Sequence, residues 1–253
     1  DLRHHHRDFF VPRASVLVLA GKVNEKTDLR IIDKNFSDWD DSRIKIKDRV
    51  EETQSKPALA WRAKETDQTH FCLGVRSYNL FSPEKYILAV LANALGGMMS
   101  SRIFVEVRDK KGLAYYVHTA NEAYSDTGYL VTAAGVNNQK MTESVKIICR
   151  EYSRLKEKKI GRAELDKAKE NLRGHLRLGL ETSDQFASFF GDPAVMNLPI
   201  LTPEQEWVEI AKVSQNDILK IAREVFQPER LNLAVVGPES KTLTQTVLKA
   251  LKV

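Results

Sequence analysis

The 253 residues include only two cysteines, and no apolar run is long enough to cross a bilayer. Cys72 and Cys149 both lie in apolar, patterned segments. That pattern predicts two buried free thiols rather than a disulfide or half of a metal site. None of the six histidines, His4, His5, His6, His70, His118 and His175, begins or ends an H-x-x-E-H or H-E-x-x-H motif. Successive helical residues point about 100° apart, so His4, His5 and His6 cannot all face one ion. A G-x-S-x-G nucleophile turn and a Walker phosphate loop are also missing. By itself, therefore, the chain should neither hold a catalytic zinc nor hydrolyse peptides. The net charge of +5 is modest, and the basic runs 108–111 and 156–159 lack the aromatic or glycine interleaving of nucleic-acid binding surfaces. No signal-peptide core opens the chain, but that says little where the start reads as truncated.

With 29% charged residues and a negative mean hydropathy, the composition is that of a soluble globular chain long enough for one large domain or two small ones. Its organising stretch is residues 96–117, GGMMSSRIFVEVRDKKGLAYYV. A helix ending at Leu95 is expected to break at Gly96-Gly97, where backbone freedom comes cheaply. Ser100 can cap a second short helix with Ile103, Phe104 and Val107 on one face, and Gly112 fits its stop. A strand from Leu113 to Val117 follows, which leaves Arg108 near a helix end and Tyr115 near a strand start. Strand alternation sends Tyr115 and Tyr116 to opposite faces.

The run LGGMMSSRIFVEVR from Leu95, continued by Gly112-Leu113-Ala114-Tyr115, resembles the non-metal-binding half of M16 (pitrilysin-like) zinc peptidases of the compact, processing-peptidase type. The resemblance is densest over these twenty or so positions and continues more loosely to about Pro238. It implies an α+β fold, a largely antiparallel sheet with helices mainly on one face. It also implies that Arg108 and Tyr115 bind peptide substrate and stabilise the tetrahedral intermediate of its hydrolysis. On residue types alone Arg108 reads as a solvated helix-end cation and Tyr115 as an ordinary strand aromatic; the surrounding motif reverses that weighting. Gly96 and Gly97 are candidates to let substrate backbone approach, with a plain helix break the favoured reading.

Placing residue 1 over residue 217 aligns DLRHHHRDFFVPRASVLVLAG with DILKIAREVFQPERLNLAVVG without a gap. Both copies read helix, proline turn, apolar strand, glycine. The expected organisation is a remnant of an upstream zinc-bearing lobe over 1–36, a polar connection over 37–57, and a metal-free lobe over 58–253. The resemblance then implies zinc held by the missing half and none by this chain. The implied partners are a peptide substrate and a zinc-bearing lobe in the same polypeptide or a companion subunit. A homodimer is a further option. Neither a nucleic acid nor a membrane span is expected, and cytoplasmic placement is favoured. A non-catalytic partner or core subunit of the same fold is the alternative to an enzyme half.

Beyond that stretch, Val117–Tyr124 and Gly128–Val136 read as strands around the turn at Ser125–Gly128. Val145, Ile148, Cys149, Tyr152 and Leu155 stripe one helix; Leu165, Ala168, Leu172, Leu176 and Leu180 stripe the next. Capping boxes at Thr202–Gln205 and Ser214–Asp217 start two more.

Overall fold

The structure, a computed structural model, describes residues 1–39, 44–239 and 241–253. In chain order its main elements are α1 (Leu2–Phe9), α2 (Glu25–Phe36), β1 (Ala58–Ala63), β2 (Gln68–Ser77), α3 (Lys85–Ala92), β3 (Ala114–Ala123), β4 (Gly128–Asn137), α4 (Met141–Glu157), α5 (Arg162–Leu178), α6 (Ser183–Val195), α7 (Pro203–Lys212), α8 (Gln215–Val225), β5 (Leu231–Gly237) and α9 (Lys241–Ala250). Two wide, π-type helical segments, Asn93–Gly97 and Phe104–Lys110, lie between α3 and β3. Contacts divide the chain into a larger unit, residues 50–173 and 207–253, and a smaller one, residues 1–49 and 174–206. Residues 174–206 thus group by contacts with the amino-terminal segment. Part of the expected connection, residues 40–43, lies outside the described residues.

The larger unit holds a five-stranded sheet in the order β1-β5-β2-β4-β3. Among the described residues only the β1–β5 pairing is parallel, so the sheet is largely antiparallel, as expected. Alternation sorts its faces. Phe71, Leu73 and Val75 of β2, Leu130 and Ala134 of β4, and Leu233 and Val235 of β5 are buried in one core with the apolar stripes of α3, α4 and α8. The α4 stripe is the one read from the sequence, and Val145, Ile148, Cys149, Tyr152 and Leu155 are all buried. The opposite face is exposed or half-buried and carries Ala60, His70, Cys72, Ala133 and Ala234 beside Tyr129, Val131 and Val236. The expectation that both thiols are buried is therefore corrected. Cys149 is buried in α4, but Cys72 is exposed, because its odd step along β2 turns it to the other face.

A chain of buried hydroxyls crosses this core. Thr119 Oγ1 of β3 lies 2.8 Å from Thr132 Oγ1 of β4, which lies 2.7 Å from the Tyr152 hydroxyl. Tyr152 also donates to the Leu73 carbonyl at 3.3 Å, and its ring stacks on Phe226 at 4.4 Å. Each of these three hydroxyls thus keeps a partner.

The expected break at Gly96-Gly97 comes slightly later. Helical backbone widens at Asn93, persists through Gly97, and becomes extended at Met98. Gly96 is buried against β3, where a Cβ would lie 2.2 Å from Thr119 Oγ1 and 2.9 Å from its backbone nitrogen. The Asn93 side chain donates to the Ala168 carbonyl at 2.7 Å, tying the same turn to α5.

The smaller unit repeats part of the larger one. α1, a 3-10 turn at Pro12–Ala14, an irregular run over 15–20, Gly21 and α2 match α8, a 3-10 turn at Pro228–Arg230, β5, Gly237 and α9 in order and spacing. Even the helix ends agree: Phe10 has φ −90° and ψ 79°, Phe226 φ −82° and ψ 64°. The copies differ in pairing. β5 is bonded on both sides, whereas residues 15–20 pair with no strand among the described residues, and Val16, Leu17 and Leu19 are exposed. α6 has no counterpart in the sequence reading; its start is fixed by the Gln185 side chain accepting from the Thr182 amide at 2.9 Å.

Gly96→Ala should destabilise the larger unit by roughly 1–3 kcal/mol, the range for forcing a methyl into a packed core. Urea unfolding measures it, and an unchanged midpoint would refute the close contact.

Candidate functional site

The site grows out of the helical segment that follows the Gly96 turn. Its first helical bond runs from the Val105 amide to the Ser101 carbonyl, so Ser101, rather than Ser100, precedes the helix. Ser101 Oγ also donates to the Met98 carbonyl at 2.5 Å. Ile103 and Val107 are buried and hold the segment to the core. From Phe104 to Lys110 the backbone takes the wider π spacing, a form that recurs at functional sites.

Cations crowd this segment, and carboxylates occupy nearly all of them. Arg102 makes a forked pair with Glu164, with Nε to Oε1 at 2.5 Å and Nη2 to Oε2 at 2.8 Å. Lys110 meets Glu106 at 2.6 Å and Lys111 meets Glu143 at 2.7 Å. Those hydrogen bonds hold the Glu106 and Glu143 carboxyls below the usual carboxylate range. Arg108 is different. Among the described residues its guanidinium makes no hydrogen bond and no ion pair. It rests over the Phe104 ring, 5.1 Å from the centroid, and is exposed. A cation on an aromatic face keeps its in-plane donors free.

The segment stops at Gly112, whose φ of +58° places it in the left-handed region. Gly112 donates to the Arg108 carbonyl at 3.2 Å and Leu113 to the Val107 carbonyl at 2.8 Å. The chain turns back and enters β3 directly, with Leu113 and Ala114 buried.

Here the alternation argument fails. Ala114 stands opposite Val136 and Tyr116 opposite Gly135, so Tyr115 is an extra residue in a bulge. A bulge cancels one step of alternation. Tyr115 and Tyr116 are consequently both exposed, at 60% and 43%, instead of facing opposite ways. The Tyr115 hydroxyl has no hydrogen bond among the described residues, and the side chain lines a cavity of about 330 Å³ with Asn137, Gln139 and Lys140. Tyr116 is engaged. Its hydroxyl lies 3.1 Å from His70 Nδ1 and its ring stacks on the imidazole at 5.9 Å. Burial pushes the Tyr116 phenol up from its ordinary value.

The turn at Gly112 thus sets Arg108 and Tyr115 on either side of one short connection, both exposed and both with free donors. No hydrogen bond or ion pair joins their side chains among the described residues. Gly96, by contrast, is spent on packing against Thr119, and a Cβ on Gly97 would lie 2.6 Å from Asn93 Oδ1. The sequence reading missed His70 as part of this neighbourhood. Its signal is indirect, a histidine on β2 facing a glycine of β4 across which a tyrosine of β3 can reach.

Among the described residues no three His, Cys, Asp or Glu side chains come together as a metal site. His4 lies 2.9 Å from Arg7 Nη2, and His70 is taken by Tyr116. These residues do not fit a zinc ion. None of the described helices is long and apolar enough to cross a membrane.

Residues 1–172 match the family profile described as the peptidase M16 inactive domain. An uncharacterized zinc protease of Bacillus subtilis is 30% identical over 238 residues, which cover 94% of this chain and 57% of that protein. The chain therefore spans little more than half the length of this relative. Among solved structures, a protease from Helicobacter pylori matches with a TM-score of 0.77 at 24% identity, over 87% of this chain and 54% of that one. A peptidase M16 inactive domain from Pseudomonas fluorescens gives 0.75 at 16%, over 87% and 53%.

The two thiols report on the two faces of the sheet. Burial raises both thiols, Cys149 up to about 11, but only Cys72 is exposed, on the face that also carries His70 and Tyr116. Since the thiolate is the reactive form, Ellman's reagent should titrate Cys72 in the folded chain and Cys149 only in denaturant. Rapid labelling of both in the folded chain would refute this arrangement.

Proposed function

The chain belongs to the peptidase M16 family, matching its inactive domain, and from that membership we propose that it is the carboxyl-terminal half of a zinc-dependent endopeptidase. In this reading residues 1–36 belong to the zinc-bearing lobe, residues 37–57 connect, and residues 58–253 form the metal-free lobe. The repeat supports it: the run 15–20 matches a strand that is paired on both sides in the larger unit, yet has no strand partner of its own among the described residues. A sheet in the missing half supplies those partners. Zinc belongs to that half too, in keeping with the relatives' description as zinc proteases.

This chain's contribution is electrostatic. As water adds to a peptide carbonyl, negative charge grows on its oxygen, and fixed donors aimed at that oxygen lower the barrier. One observation carries the assignment to Arg108. In a segment where Arg102, Lys110 and Lys111 are each bound to a carboxylate, Arg108 alone of these cations has no acidic partner among the described residues, and it is held in place by Phe104. A guanidinium already bound to a carboxylate would have to break that pair before meeting substrate. Arg108 has nothing to break. Tyr115, set outward by the bulge with a free hydroxyl, is the second donor. Gly97 lies in the same turn and is the better placed of the two glycines to meet substrate backbone, Gly96 being buried.

In the full-length protein, Arg108→Ala should lower kcat by about 10²–10³, the usual cost of one oxyanion donor. Tyr115→Phe should also lower it, with zinc content and melting temperature unchanged in both variants. Near-normal turnover in both would remove the role. Peptide hydrolysis and stoichiometric zinc in the full-length protein, with neither in this chain alone, would support the half-enzyme reading. Neither in either sample would indicate a partner or core subunit instead.

A further inference from the structure

We propose that His70 and Gly135 form a register lock on β3 that presents Tyr115, and not Tyr116, to the substrate. The proposal rests on the reading of Arg108 and Tyr115 as a donor pair. β3 is an edge strand carrying two adjacent tyrosines at a bulge. Bulges and edge strands are the places where pairing slips by one residue, and one step exchanges the two side chains. With Tyr115 opposite Gly135 and Tyr116 as the extra residue, the same backbone would offer the other phenol. Local sequence cannot choose between them, because both residues are tyrosine.

The choice is made two strands away. Gly135 of β4 stands opposite Tyr116 on one side and opposite His70 on the other. Having no side chain, it leaves bare backbone over which the Tyr116 ring lies. A Cβ there would be 2.5 Å from Tyr116 Cε1 and 3.2 Å from His70 Nδ1. The imidazole receives the ring by stacking and the hydroxyl at 3.1 Å. Only the residue opposite Gly135 can make this bridge. Tyr116 is thereby consumed as a tie between edge strand and sheet interior, and Tyr115 is left with an unclaimed hydroxyl. Upstream, the buried Leu113 and Ala114 fix the other end, so Tyr115 is held between two anchors. His70, Gly135 and Tyr116 are positioning residues. They act on the reaction through Tyr115.

The test measures kcat and KM for His70→Leu in the full-length peptidase, in both the native and the Tyr115→Phe backgrounds. Misplacing a catalytic group by about 1 Å can cost up to about 10²-fold. In the native background, His70→Leu should lower kcat by about tenfold or more with KM nearly unchanged, and His70→Gln, which keeps a hydrogen-bonding group facing Tyr116, should recover most of it. In the Tyr115→Phe background, His70→Leu should add no further loss, since the group it positions has gone. Gly135→Ala should behave like His70→Leu. A normal kcat for His70→Leu, while Tyr115→Phe is impaired, would overturn the lock and leave the donor pair standing. So would losses that multiply when the two substitutions are combined. Impairment by Tyr116→Phe but not by Tyr115→Phe would overturn both the lock and the assignment of the tyrosine.

Discussion

The backbone of Gly96 lies on Thr119 with no side chain between them, and the placement of everything downstream depends on that contact. A methyl group there would push the turn off β3. The turn would carry with it Asn93, which holds α5, and the segment of Arg102–Lys110 that follows. Thr119 is itself fixed by its hydroxyl chain through Thr132 to Tyr152. Helix turn, edge strand, neighbouring strand and α4 are therefore tied at one buried point. Because core atoms are packed nearly as tightly as in a crystal, that point transmits position over several residues with little slack.

Position alone does not make a binding group; it must also be unoccupied. The segment around Arg108 solves this by pairing almost every other cation. Exposed ion pairs contribute little to stability, and the pairs of Lys110 and Lys111 matter more for where they leave charge. They cancel the positive charge that follows Arg108 and leave one guanidinium whose donors face solvent. Glu151, buried in α4 at 2% exposure, extends the pattern inward, with Arg154 Nη1 at 2.8 Å and Arg102 Nη1 at 4.0 Å.

Much of this was legible in the sequence, and the reasons for success and failure are specific. The stripe Val145–Leu155 and the two capping boxes at Thr202 and Ser214 report local chemistry, so they could be read directly. The repeat relating residue 1 to residue 217 was legible because proline and glycine punctuate both copies. The face of Cys72 was not, since an apolar neighbourhood does not say which side of a strand looks into the core. The bulge at Tyr115 was hidden for a related reason. It is a property of the pairing with β4, and alternation along β3 says nothing about an extra residue. His70 was weighed only as a metal ligand, while its role depends on a glycine that stands 65 positions further along the chain and directly opposite it in the sheet.

The order of strands has a consequence for how this lobe is made. Only residues 64–67 separate β1 from β2, a connection short enough for a hairpin, yet the two are not neighbours. β5 lies between them, and it follows β2 by about 150 residues, so the pairing that fills the sheet is among the most non-local in the chain. During synthesis β1 and β2 emerge together and are free to close on each other long before β5 exists. The finished sheet requires that early hairpin to open, or never to form, so that the last strand made can enter near the middle of the sheet.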